Sequence, residues 1–195
     1  MNLVAIIDQY LHEDVMIAFS GGVDSTLLLK IAVEASKRYH THVYAVTIQT
    51  VLHPVMEADE AKRIADELGA IHKVIHVDEL EGAGIENNPV DRCYLCKKYM
   101  FTKVKELAHS LGISTILEGT NADDLKQYRP GIKAIQELGL QSPLLEANMT
   151  KKEIREFVYE MLDNLLSSYE IDYIKWDANR PISQAGVEKD IWYKH

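Results

Sequence analysis

Along the first two thirds of the chain, short apolar runs of strand length alternate with longer stretches whose apolar residues recur at helical spacing. Leu3, Ile6, Ile7 and Leu11 share one helical face and predict a short amphipathic helix over Leu3 to Leu11. Residues 15–19 predict a first strand, 25–38 a helix, His42 to Ile48 a second strand, Glu57 to Leu68 a helix and Ile71 to Val77 a third strand. A stretch of turn formers from Glu81 to Asn88 leads through Pro89 to a helix from about Asp91 to Leu111, and Ser114 to Glu118 reads as a fourth strand. Helical spacing returns at Pro130 to Leu138 and over Thr150 to Ser167. There Thr150-Lys151-Lys152-Glu153 has the form of a capping box, and Ile154, Phe157, Val158, Met161 and Leu165 carry the apolar stripe. Ile171 to Trp176 predicts a last strand.

Strand and helix in alternation imply parallel strands joined by crossover helices. The expected fold class is α/β, an open parallel sheet with helices on both faces, extended by a C-terminal helix-strand unit. Ligands of such sheets lie beyond the C-terminal strand ends, near the point where strand order reverses. Glycine, hydroxyl and carboxylate groups gather on that rim: Ser20, Gly21, Gly22, Val23, Asp24 and Ser25 after strand one, Thr47 at the end of strand two, and Gly119 to Asp124 after strand four.

The first of these loops is a place for phosphate, because two glycines let the backbone approach an anion and free N–H groups of a helix start point the same way. It is not a Walker loop, since no lysine follows the second glycine. Asp24 would repel phosphates unless a cation lay between, which argues for a magnesium-bridged nucleotide. Asp123 or Asp124 could hold a second ion or a ribose hydroxyl, and Asp24 and Asp124 are the candidate metal ligands. The bland alternative for Asp123 and Asp124 is an acidic helix cap, and for Arg129 a solvated charge next to a turn.

With 195 residues, 47% hydrophobic and 26% charged, the chain has room for one good core plus a short extension. A formal charge of −9 disfavours nucleic acid as a partner. Neither a membrane span nor an export signal is indicated, so the expected compartment is cytoplasmic and the expected ligand small. Cys93 and Cys96 are too few for a disulfide framework. Such a pair serves as half a zinc site, a redox couple, an iron-sulfur anchor, a persulfide carrier or two reduced thiols on a helix face, with Arg92, Lys97 and Lys98 available to lower a thiol pKa. His72 and His76 are weak candidates to complete a zinc site, because an i, i+4 spacing is stretched out along a strand.

The Ser20-Gly21-Gly22-Val23-Asp24-Ser25 loop resembles the PP-loop of ATP pyrophosphatases, the adenine nucleotide α-hydrolase fold. Asn88 to Lys98 with its two cysteines, Glu118 to Asp124, Tyr128-Arg129-Pro130-Gly131, Ser142 to Ala147 and Thr150 to Arg155 resemble one branch of that family. This branch comprises the sacrificial sulfur transferases that mature the nickel-pincer cofactor of lactate racemase. The resemblance implies ATP and Mg as cofactors and a pyridinium carboxylate nucleotide as substrate. It further implies adenylylation of that carboxylate with release of pyrophosphate, then attack by a protein-held sulfur donor. It casts Asp24, Arg129, Cys93 and Cys96 as catalytic, and leaves a homo-oligomer open. An iron-sulfur cluster is poorly served by two cysteines. Two alternatives stand beside this reading: a binding-only domain, and an ammonia-dependent amide ligase of the NAD or GMP synthetase type.

Past residue 155 the family pattern stops, and its further cysteine segment has no counterpart. Lys175-Trp176-Asp177-Ala178-Asn179-Arg180 resembles instead the nucleophile strand of TIM-barrel α-galactosidases. Some forty residues cannot build a barrel of about 250. The expectation is therefore a recombined or engineered chimera, with a PP-loop domain at 1–155 and a foreign helix-strand extension at 156–195.

Overall fold

The computed structural model describes residues 2–51, 56–126 and 130–168. Four strands form one parallel sheet: β1 (Val15–Ala18), β2 (Val43–Thr50), β3 (Ile71–Val77) and β4 (Thr115–Leu117). They lie in the order β3-β2-β1-β4. The chain therefore steps outward from β1 through β2 to β3 and then returns to the other side of β1. Between β1 and β4 lies the reversal point where a parallel sheet opens a crevice at its C-terminal edge.

The pleat sends alternate residues to opposite faces, and each face has its own helices. Helix α1 spans Leu3–Asp8, α2 Val23–Tyr39 and α3 Met56–Leu68. Of these, α2 and α3 lie against the strands while α1 packs on α2. On this side Val15, Ile17, Ala45 and Leu117 are fully buried, as are Ile7, Leu28 and Leu29 from the helices. On the other face Met16, Val46 and Ile116 pack with Phe101, Val104 and Ala108 of α5 (Arg92–Ser110) and Ile135 of α6 (Gly131–Leu138). Burying each large aliphatic side chain contributes about 1.5–3 kcal/mol, so these two layers hold the strand ends in register.

Most of the predicted elements are present, with shifted ends. Helix α1 stops at Asp8, short of Leu11, although Leu11 is fully buried. Helix α2 begins two residues earlier than its apolar run, because Gly22 is its N-cap in extended conformation, so Asp24 and Ser25 belong to its first turn. Two short helices are present that the sequence pattern does not predict. One is α4 (Glu79–Ala83): Asp78 accepts hydrogen bonds from Leu80 N (3.1 Å) and Glu81 N (3.2 Å), and left-handed Gly84 ends the turn. The other is α7 (Pro143–Glu146), with proline at its start. Helix α8 (Lys151–Ser168) opens with the predicted capping box: Glu153 N donates to Thr150 Oγ1 (3.3 Å), and Thr150 N donates to Glu153 Oε2 (2.8 Å).

By contact density the chain divides into Met1–Glu160 and Met161–His195. Of the second unit only 161–168, the end of α8, is described, and the predicted strand Ile171 to Trp176 and Asp177 lie outside the described residues.

Candidate active site

The loop after β1 is held open by its own hydrogen bonds. Gly21 takes φ +74°, a left-handed conformation that costs a side-chain-bearing residue about 1–2 kcal/mol. Ser25 Oγ donates to Gly22 O (3.1 Å), and Gly22 N donates to Ser20 Oγ (3.4 Å). The two serine hydroxyls stand 3.3 Å apart. No side chain caps α2, so the N–H groups of its first turn, at Val23, Asp24 and Ser25, have no intrahelical partner and face the loop. This is the local geometry of an anion site.

Opposite, the chain leaving β4 is fastened from beneath. Buried Glu118 accepts hydrogen bonds from Thr120 N (3.1 Å), Thr120 Oγ1 (2.7 Å) and Ser142 Oγ. Gly119 brings this segment beside the first loop, where a Cβ would make ordinary contact with Ser25 N (3.5 Å) and Asp24 Cβ (3.6 Å). Asn121, fully buried, joins the two sides: its Nδ2 donates to Asp24 Oδ2 (3.0 Å), its N–H donates to Asp124 Oδ2 (3.1 Å), and its Oδ1 accepts from Asp123 N (3.0 Å). A 3-10 helix at Ala122–Lys126 carries both aspartates.

Between these walls lies a cleft of about 580 Å³. Of the sequence candidates, Ser20, Gly22, Val23, Asp24, Ser25, Thr47, Gly119 and Asp124 line it. Gly21 shapes the loop without lining the cleft. Thr47 contributes less side-chain chemistry than its position suggests. Its hydroxyl donates to Phe19 O (2.9 Å) and therefore accepts from His72 Nε2 (2.8 Å), whose pKa is pushed down by burial and then by the charge of Lys62. The backbone beside it is more available. In a parallel ladder one residue's N–H and C=O face the same neighbour, and Val46 O is taken by Phe19 N. The N–H and C=O of Ile48 thus face the side where β1 has ended, and Ile48 lines the cleft.

Three sequence candidates stand elsewhere. Asp123 turns from the cleft to Lys126 Nζ (2.8 Å) and Lys151 N (2.8 Å), which hold its carboxyl below the usual range, so it caps α8, as the bland reading has it. Cys93 and Cys96 are not among the residues lining the cleft; Cys93 is exposed on α5 and Cys96 half-buried. The expected lowering of a thiol pKa does not occur at Cys96: burial, and then the charge of Glu79, push it up against Arg92 and Lys97. Lys98 is committed to Tyr94 Oη (2.7 Å) and Glu137 Oε2 (2.9 Å). Arg129 lies outside the described residues.

Sequence reasoning missed Lys97, Lys151 and Arg155, which also line the cleft and form no ion pair among the described residues. The Thr150-Lys151-Lys152-Glu153 signal gave the helix start but not the direction in which that start points. Among the described residues no group of three or more His, Cys, Asp or Glu side chains could hold a metal by themselves. Asp24 and Asp124 nevertheless fit magnesium, which takes one or two protein carboxylates and completes its octahedron with phosphate and water.

The same architecture is found by comparison. A family model described as the PP-loop domain matches residues 1–128. The chain is 37% identical over 147 residues to the pyridinium-3,5-bisthiocarboxylic acid mononucleotide synthase of Lactiplantibacillus plantarum, covering 75% of this chain and 52% of that one. It is 30% identical over 182 residues to the uncharacterized protein MJ0830 of Methanocaldococcus jannaschii, covering 93% of this chain and 68% of that protein. Among solved structures, the U34-tRNA thiolase NcsA of Methanococcus maripaludis, with its [4Fe-4S] cluster, superposes with a TM-score of 0.63 at 17% identity over 83% of this chain and 63% of that one, and so shares the fold. The chain belongs to the PP-loop family of ATP pyrophosphatases. It spans about half the length of the curated relatives it matches first. A melibiase model matches residues 139–193, which supports the expected composite origin of the C-terminal segment. No helix among the described residues is long and apolar enough to cross a membrane.

Proposed function

We propose that this chain binds ATP in the cleft between β1 and β4 and cleaves it between the α and β phosphates to adenylylate the carboxylate of a small nucleotide. The observation that carries the reading is the Asp24–Asn121–Asp124 tie, which fixes two carboxylates and the loop's free N–H groups around one cleft. In the reaction a carboxylate oxygen of the acceptor attacks the α-phosphorus. The bond to the bridging oxygen breaks, and its electron pair leaves on pyrophosphate.

The protein's share is positioning and charge neutralisation. Ser20, Ser25 and the N–H groups of Val23 to Ser25 grip the leaving pyrophosphate. Lys97, Lys151 and Arg155 bring positive charge to the same space. The edge of Ile48 offers a donor and an acceptor to adenine. Magnesium, held by Asp24 and Asp124, would neutralise charge between phosphates and carboxylates. Arg129 is assigned to a phosphate or to the acceptor carboxylate. The similarity to a pyridinium bisthiocarboxylate mononucleotide synthase supports a pyridinium carboxylate nucleotide as acceptor. Cys93 and Cys96 have no part in the adenylylation itself.

Pyrophosphate release on mixing the chain with Mg·ATP and a nicotinic acid nucleotide tests this reading. Release that depends on the acceptor is expected. ATP binding with no release above blank would reduce the function to nucleotide binding.

A further inference from the structure

Lys97 reaches the cleft by an unusual route. It sits in the second turn of α5, beside α6, and its side chain crosses the start of α6 at Gly131. A Cβ built on Gly131 would lie 2.6 Å from Lys97 Cδ, 3.5 Å from Lys97 Cβ and 3.5 Å from Cys93 O. The first distance is below any real Cβ contact, so the lysine stem occupies the space that a side chain at 131 would need. Gly131 itself is buried and helical, with no positive φ that would call for glycine. Its lack of a side chain thus answers to the neighbour rather than to the backbone.

The two helices are also joined beside this contact. One face-turn away, Tyr94 Oη donates to Glu137 Oε2 (2.6 Å), and Lys98 Nζ bonds the same carboxylate at 2.9 Å, so α6 is clamped to α5. Lys133 adds a second cation over the Tyr94 ring at 5.5 Å. Lys97 meanwhile forms no ion pair among the described residues, and it lines the cleft.

We propose that Gly131 is a positioning residue for the nucleotide site: by leaving room for the Lys97 stem between α5 and α6, it aims the Lys97 ammonium into the cleft. The proposal rests on the reading of that cleft as the ATP site. It makes Gly131→Ala a functional substitution at a position where alanine is the better helix former.

The test is a cycle of Gly131→Ala, Lys97→Ala and the double variant, followed by Mg·ATP titration, thermal melting and amine labelling. Each single variant is expected to weaken ATP binding about tenfold, the scale of one charge-assisted hydrogen bond. The double variant should be no weaker than Lys97→Ala alone, and Gly131→Ala should melt no lower than the parent. Without nucleotide, acylation of Lys97, followed by peptide mass spectrometry, should run severalfold faster in Gly131→Ala because the displaced amine is more exposed. Multiplying losses in the double variant, or an unchanged labelling rate, would overturn the proposal. A parent that binds no ATP but shows the labelling difference would instead overturn the nucleotide reading of the cleft, leaving the lysine's placement by Gly131 intact.

Discussion

Two segments of this chain carry motifs that promise chemistry, and the fold treats them differently. The Ser20 to Ser25 loop leaves the C-terminal end of a central strand at the reversal of strand order, where Gly119 lies beside it and Asn121 ties it to the facing wall. The Cys93 to Cys96 turn lies on the start of α5, with one thiol exposed and the other half-buried and pushed towards its neutral form. A motif at a strand end inherits its geometry from the sheet. A motif on a helix face gets only what its immediate neighbours supply.

The largest test of that contrast is Asp24→Asn, which keeps the shape and the Asn121 contact but removes the charge. Pyrophosphate release should fall by at least about a hundredfold, as for the loss of one group aimed at transition-state charge. Next comes Gly21→Val, which forces a β-branched residue to φ +74° and should cost about 1–2 kcal/mol in urea melts together with nucleotide binding. Thr150→Ala removes half of the capping box of α8 and should destabilise by about 1 kcal/mol, weakening ATP binding only as far as Lys151 and Arg155 shift. At the other pole, Cys93→Ser with Cys96→Ser should leave ATP affinity unchanged; a loss as large as that of the loop variants would erase the distinction drawn here. In the parent, iodoacetamide should alkylate Cys96 with a midpoint displaced to higher pH than that of an ordinary thiol, because burial raises its pKa.

Acid should loosen the far wall of the cleft. Asp123 and Glu153 both have folded-state pKa values below their ordinary ones, through hydrogen bonds to Lys126 and Thr150 respectively and to the start of α8. A depressed carboxyl contributes stability above its unfolded-state pKa and loses it as pH falls through the folded value. The contribution should be complete at neutral pH and decline only below the usual carboxylate range, read as a falling melting temperature that Asp123→Asn makes less steep.

Much of the fold was legible because its signals are local. The four strand-length apolar runs up to Glu118, the Gly21-Gly22 turn and the Thr150 to Glu153 capping box each act within a few residues, and each has the structure its sequence predicts. The short helices α4 and α7 were not, since five and four residues are too few to show a helical period. Part of the site was hidden for a different reason. Lys97, Lys151 and Arg155 come from two helices distant in sequence, and only the packing of those helices turns them to one cleft. Asp123 illustrates the converse: its acidic neighbour and its rim position suggested a metal or ribose ligand, yet the start of α8 lies within hydrogen-bond reach and claims it.

The central claim is that the cleft between β1 and β4 grips the phosphates of ATP through the first loop and its facing carboxylates. Titration of Mg·ATP into the parent and into Asp24→Ala measures this directly. The parent should bind saturably and only in the presence of magnesium, and Asp24→Ala at least about tenfold more weakly. Equal affinity in the two proteins would contradict the assignment of the site.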